Sequence, residues 1–67
     1  METGVVKWFN DVKGYGFITP DSGGSDLHAP ASEIKADGIT SLKESQRVSF
    51  DVKVVPKGKQ AANIRPL

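Results

Sequence analysis

The chain has 67 residues, with nine Lys and Arg against eight Asp and Glu, a formal net charge of +1 and no cysteine. That length makes one domain, residues 1–67, of modest core and marginal stability, and the lack of cysteine excludes a disulfide framework and a thiolate metal site. No stretch is long and apolar enough to span a bilayer, and no basic region followed by an apolar run opens the chain, so a cytoplasmic protein with no membrane partner is expected.

Short apolar runs alternate with turn residues along the whole chain, the pattern of an all-β domain. Val5 to Asn10 reads as a first strand, and Asp11-Val-Lys-Gly as a turn in which Gly14 supplies backbone freedom. Tyr15 to Thr19 is a second strand, followed by the strong turn signal Pro20-Asp-Ser-Gly-Gly-Ser. Asp26 to Ala29 is a short third strand, ended by Pro30 because proline lacks an N–H for the ladder. From Ala31 to Ser45 the pattern is least regular, with a single helical turn at Ser32-Glu-Ile-Lys and another turn at Asp37-Gly38. Gln46 to Val55 is the clearest strand: Val48, Phe50, Val52 and Val54 alternate with Arg47, Ser49, Asp51 and Lys53, so the four apolar residues are expected on the core face. Pro56-Lys-Gly-Lys is a hairpin turn, and Gln60 to Arg65 is a fifth strand with Ala62 and Ile64 inward. Five short strands cannot build a large sandwich, whereas a small closed barrel removes exposed edges.

Four of the five aromatic residues fall between Lys7 and Ile18, with two lysines and two glycines among them. Strand alternation puts Ile18 in the core with Gly16, and so turns Tyr15 and Phe17 outward. In the first strand Val6 and Phe9 are core residues, leaving Lys7 and Trp8 on the surface. Their spacing breaks strict alternation and requires a bulge or strong twist at Lys7–Trp8. Aromatics in strands are ordinarily core. Here Phe9, Ile18, Val48, Phe50, Val52 and Ile64 are enough to fill a small core, and lysines stand beside the rings. Trp8, Tyr15 and Phe17 are therefore expected on one outer face, where flat rings can stack on unpaired bases and lysines can meet phosphates.

Lys-Trp-Phe-Asn at 7–10 and Lys-Gly-Tyr-Gly-Phe-Ile at 13–18 closely resemble the cold-shock domain, the second stretch matching its first ribonucleoprotein motif. The resemblance runs from Gly4 to Ile64 and includes Ser32-Glu-Ile, Gln46-Arg-Val-Ser-Phe and Pro56-Lys-Gly-Lys-Gln-Ala-Ala-Asn-Ile. It implies a five-stranded antiparallel OB-fold barrel that binds single-stranded RNA and DNA with little sequence preference. It further implies an RNA chaperone in cold-shock response or gene regulation, working without ATP. Lys7, Trp8, Lys13, Tyr15 and Phe17 carry over as nucleic-acid contacts. Asp26, Lys57 and Gln60 match polar positions bordering the binding face. Lys59 reads as a solvated hairpin tip.

The second ribonucleoprotein motif departs from the family. Asp26-Leu-His-Ala-Pro-Ala-Ser puts His28 where Phe is usual, Pro30 where His is usual and Ala31 where an aromatic often stands. Ile39 replaces another usual aromatic, and Ser45 stands where Gly is usual. The expectation is a half-platform: the Trp8–Tyr15–Phe17 side binds, over fewer nucleotides and more weakly. Alternation puts Leu27 and Ala29 inward and His28 outward, where it either stacks on a base, contacts phosphate according to pH, or is merely exposed. No second histidine or cysteine exists to join it in a metal site, and no metal or cofactor is expected. With one histidine and no cysteine, no base, nucleophile and oxyanion donor can be assembled, so an enzyme is not expected. The competing class is a barrel with weakened nucleic-acid binding that serves as a protein-interaction module. A monomer is expected; a hinge in the long connection between the third and fourth strands would instead allow a strand-exchanged dimer.

Overall fold

The alternating runs fold into five strands in the computed structural model, which describes residues 1–67: β1 (Glu2–Asn10), β2 (Tyr15–Pro20), β3 (Leu27–Pro30), β4 (Arg47–Val55) and β5 (Gly58–Pro66). They close into a barrel in the order β1-β2-β3-β5-β4. All neighbours are antiparallel except β3 and β5, which meet in parallel at His28 and Gln60. A 3-10 turn, Ala31–Glu33, follows β3 and is closed by the Ile34 N–H donating to the Ala31 carbonyl at 3.1 Å. It starts one residue before the expected helical turn and is shorter.

β1 begins three residues earlier than the apolar pattern indicates. Glu2 to Val5 pair with Phe50 to Arg47 of β4, a long-range partner that supplies the order local composition does not. β3 includes Pro30, which pairs with Tyr15 and is its last residue. The turn between β4 and β5 is only Pro56–Lys57, because Val55 already pairs with Gly58, whose φ of 135° only glycine adopts readily.

Val6, Ile18, Leu27, Ala29, Leu42, Val48, Phe50, Ala61 and Ile64 form the buried core, with Phe9 and Ile34 packed against it. Val52 and Val54 do not join it: they are 38% and 78% exposed. Two features account for this. β1 pairs with β4 only as far as Phe50. The register between β4 and β5 also shifts between Ser49 and Asp51, where Asn63 takes a positive φ of 49° as the extra residue of a bulge. Beyond that point Val52 and Val54 pair with Ala61 and Lys59 of β5, and of those four residues only Ala61 is buried. Ala61 takes up core space instead.

Ser45 has a φ of 69° just before β4, and its N–H donates to the Val6 carbonyl at 2.7 Å. A left-handed conformation costs an L-residue roughly 1–2 kcal/mol, while glycine loses some of that advantage through its freer unfolded chain. Ser45→Gly should therefore stabilise the barrel by about 0.5–1 kcal/mol, measured by urea denaturation. An unchanged or lowered midpoint contradicts this.

Asp21, at the start of the β2–β3 loop, joins two strands to that loop. Both terminal nitrogens of Arg47 donate to its carboxylate at 2.8 Å, and the Thr3 hydroxyl donates at 2.7 Å. These bonds, that from Arg47 foremost, hold the carboxyl below its ordinary value of 3.8. In acid the unfolded chain takes up this proton first, so the contribution is complete above that value and is lost as pH falls toward the depressed one. Stability should drop across that acid range, less steeply in Arg47→Gln; equal slopes in parallel acid titrations of unfolding would contradict the assignment. The group is solvent-exposed, so added salt should shrink the difference.

Candidate nucleic-acid interface

The face is built by the bulge and by β2 alternation. Val6 pairs with Ile18, but Trp8 pairs with Phe17, so Lys7 is the extra residue and Trp8 is turned out beside β2. The bulge expected at this point is present. Tyr15 and Phe17 point outward from β2, while Gly16 and Ile18 are buried. The Trp8 ring lies 5.6 Å from Tyr15 and 5.2 Å from Phe17, and Tyr15 lies 6.4 Å from Phe17. The three ring planes meet at 55–80°. They thus meet edge-to-face or tilted, the favourable sense of the ring quadrupoles, and are not stacked flat on one another.

His28 completes the cluster from β3. Its register opposite Phe17 brings the imidazole to 5.8 Å from that ring and 5.4 Å from Tyr15. Four rings from three strands therefore lie together on one outer face. Pro30, the next outward residue of β3, is opposite Tyr15 and half-buried. Ala31 and Ile39 are half-buried as well.

The polar residues divide into three places. Lys7 is not a free cation: its ammonium donates to the Asp26 carboxylate at 3.0 Å, and the Thr19 hydroxyl donates to the other oxygen at 2.9 Å. Those bonds, first that from Lys7, lower the Asp26 pKa. A phosphate reaching Lys7 must share it with Asp26. Lys13 stands on the exposed turn between β1 and β2, where the Asn10 side-chain oxygen accepts from the Val12 and Lys13 N–H groups at 2.9 and 3.0 Å. Lys57 and Gln60 lie on the opposite side, with His28, Val55, Pro56 and Lys59, around a groove of about 560 Å³. Sequence reading places Lys59 in solvent at the hairpin tip; it is exposed, and it also lines this groove. A second groove of about 550 Å³ lies along the β2–β3 loop and carries the Glu2 and Asp26 carboxylates, which oppose a phosphate.

The Asp21–Arg47–Thr3 cluster and the Lys7–Asp26 pair have no local signal in the sequence. Each joins residues at least 18 positions apart. No group of three or more His, Cys, Asp or Glu side chains converges as a metal site would require, and no helix is long and apolar enough to cross a membrane.

The family model of the 'Cold-shock' DNA-binding domain matches residues 2–67. Among curated relatives, the cold shock-like protein CspA of Bordetella pertussis is 64% identical over 67 residues, all of both chains. CspA of Stigmatella aurantiaca is 54% identical over the whole of this chain and 98% of its own. CspD of Escherichia coli K12 is 52% identical over the whole of this chain and 90% of its own.

Proposed function

This chain belongs to the 'Cold-shock' DNA-binding domain family, a nucleic-acid-binding and not an enzymatic one, and we propose that it holds single-stranded RNA and DNA by stacking unpaired bases on the Trp8, Tyr15, Phe17 and His28 face. The observation that carries this reading is the convergence of four rings from three strands on the surface of so small a barrel. Every base has a flat face, so stacking is tolerant of sequence. Lys7, Lys13 and Lys57 meet phosphates around the face, and Asp26 and Gln60 offer hydrogen-bonding groups at its border. Acting as a cytoplasmic monomer, the chain takes up bases as they become unpaired. Binding the open form alone shifts the fold of an RNA away from its paired structure, with no ATP. That is the work of an RNA chaperone in cold-shock response or gene regulation.

The platform is narrower than the family pattern, since Pro30, Ala31 and Ile39 offer no flat aromatic face. Weak, exchangeable binding over few nucleotides is the consequence. Quenching of Trp8 fluorescence by oligo-dT at two salt concentrations tests the reading. Affinity should fall as salt rises, with a logarithmic slope of about −0.7 per phosphate neutralised. A His28→Phe, Pro30→His variant should bind more tightly than the parent; equal affinity would count against the half-platform. Absence of any response to oligonucleotides at low salt would favour a protein-interaction module instead.

A further inference from the structure

Asp37-Gly38 lies in the connection between the 3-10 turn and β4. The Ile39 N–H donates to the Ala36 carbonyl at 3.1 Å, so Asp37 and Gly38 are the central residues of a β-turn, with Gly38 at a φ of 75°. Both are exposed, and a Cβ built at Gly38 would meet nothing within 4 Å. The Gly38 N–H donates to no group of the protein. The Asp37 carboxylate is equally unheld. Asp21, by contrast, is held by Arg47 and Thr3, Asp26 by Lys7 and Thr19, and Asp51 by the Asn63 amide at 3.0 Å. Asp11 has no partner either, but the residue after it, Val12, is β-branched, and its N–H is already given to the Asn10 side chain at 2.9 Å.

A free aspartyl carboxyl beside an unhindered backbone nitrogen is the arrangement that closes a succinimide. The Gly38 nitrogen attacks Cγ of Asp37. The N–Cγ bond forms, the bond from Cγ to the hydroxyl of the protonated carboxyl breaks, and the amide proton leaves with that hydroxyl as water. Water then adds back. Breaking the new N–Cγ bond restores aspartate. Breaking the bond from the Gly38 nitrogen to the Asp37 main-chain carbon leaves isoaspartate, with the backbone running through Cγ and a free α-carboxylate beside it. Net mass is unchanged and no other reactant is consumed. Ring closure needs the Asp37–Gly38 peptide plane to turn. Only the single Ile39–Ala36 hydrogen bond opposes this, and glycine has no Cβ to obstruct it.

The barrel tolerates the product. The Lys35 N–H donates to the Ile64 carbonyl at 2.9 Å before the turn, and Leu42 is buried after it. The extra backbone carbon is taken up between these anchors, where no residue from Ala36 to Ser41 belongs to the core. We propose that Asp37–Gly38 is a self-modification site, converted to isoaspartate through a succinimide while the barrel stays folded. This does not depend on the stacking face.

The test holds the folded chain at neutral pH and physiological temperature in heavy-oxygen water, beside the free peptide Ala36–Lys43 that trypsin releases from it. Mass spectrometry should show heavy oxygen entering the aged chain at Asp37. Cleavage before Asp37 by an aspartate-specific endoprotease should fall, because isoaspartate is not cut. The folded chain should react within about 10-fold of the peptide; a route through global unfolding alone would be about 100-fold slower or more, since the unfolded fraction of such a domain is about 1% or less. Asp37→Glu, too long to close the five-membered ring, should take up no oxygen there. Asp37→Asn should react faster than the parent, losing ammonia through the same succinimide. Circular dichroism and the unfolding midpoint of the aged chain should match those of the fresh one. A rate more than about 10-fold below that of the peptide overturns the proposal, because the fold then protects the turn. Equal conversion at Asp11 or another aspartate, uptake that survives in Asp37→Glu, no acceleration in Asp37→Asn, or loss of the barrel in step with conversion also overturns it.

Discussion

Phe17→Ala should weaken binding of a single-stranded oligonucleotide by roughly 5- to 150-fold, the equivalent of losing about 1–3 kcal/mol of stacking from one base. Phe17 is the position for the largest effect because it is central. Its ring lies against Trp8, at 5.2 Å, and against His28, at 5.8 Å, and so joins the contributions of all three strands. The same position makes the alanine variant ambiguous by itself. Removing the ring also removes edge contacts, of order 0.5–1.5 kcal/mol per aromatic pair, and lets Trp8 and His28 relax. Phe17→Leu separates the two effects, since it keeps most of the apolar volume and loses the flat face. Both variants should lose affinity, while Phe17→Leu keeps a near-parental unfolding midpoint. Anisotropy of a labelled oligonucleotide is the suitable readout, because Trp8 fluorescence will itself change. Parental affinity in Phe17→Leu would refute stacking at this position.

Gly16→Ala should leave the chain largely unfolded at 25 °C. Gly16 sits on the buried side of β2, opposite Phe9 on one side and Ala29 on the other. A Cβ there would lie 2.7 Å from the Phe9 Cα and 2.8 Å from its Cδ1, and closer still to the Trp8 carbonyl oxygen. Two of these three atoms are backbone, so no rotamer change relieves the clash, and β1 must separate from β2. Overpacking a core ordinarily costs about 1–3 kcal/mol, and a collision with backbone exceeds that. A domain of this size without disulfides has only about 3–5 kcal/mol to lose. Gly23→Ala is the control: nothing lies within 4 Å of its Cβ, so only its φ of +91° penalises the change. Circular dichroism and thermal unfolding distinguish the outcomes. A cooperative transition for Gly16→Ala within a few degrees of the parent would show that β1 can yield at Trp8. The two results are linked, because the close approach that forbids a side chain at Gly16 is the one that brings Trp8 beside Phe17.

Several features of the site were legible locally. Tyr15 and Phe17 stand two apart around an Ile-bearing core face, which is enough to turn both outward once β2 exists. The broken alternation at Lys7–Trp8 announced the bulge, and His28 between Leu27 and Ala29 was placed outward by the same rule. β4 shows where this reasoning ends. Val48, Phe50, Val52 and Val54 have the same parity, yet the last two are exposed. Whether a residue of correct parity is buried depends on what the rest of the barrel packs against that face, and β4 has β1 as a sheet neighbour only as far as Phe50.

What the sequence by itself determined is thus what period and turn chemistry encode: five strands, the bulge in β1, and the outward rings of β1, β2 and β3. Side-chain alternation is a property of each strand alone, so it survives whatever the strand packs against. Only the tertiary structure decided which faces meet. It gave Lys7 to Asp26 and Arg47 to Asp21, and it left Val52 and Val54 uncovered on the hairpin. It also set His28 between the Phe17 ring and the Lys57–Lys59 groove. Those pairings follow from barrel closure, which joins β3 to β5 and β1 to β4 across long stretches of chain, and no local pattern carries the register of such contacts.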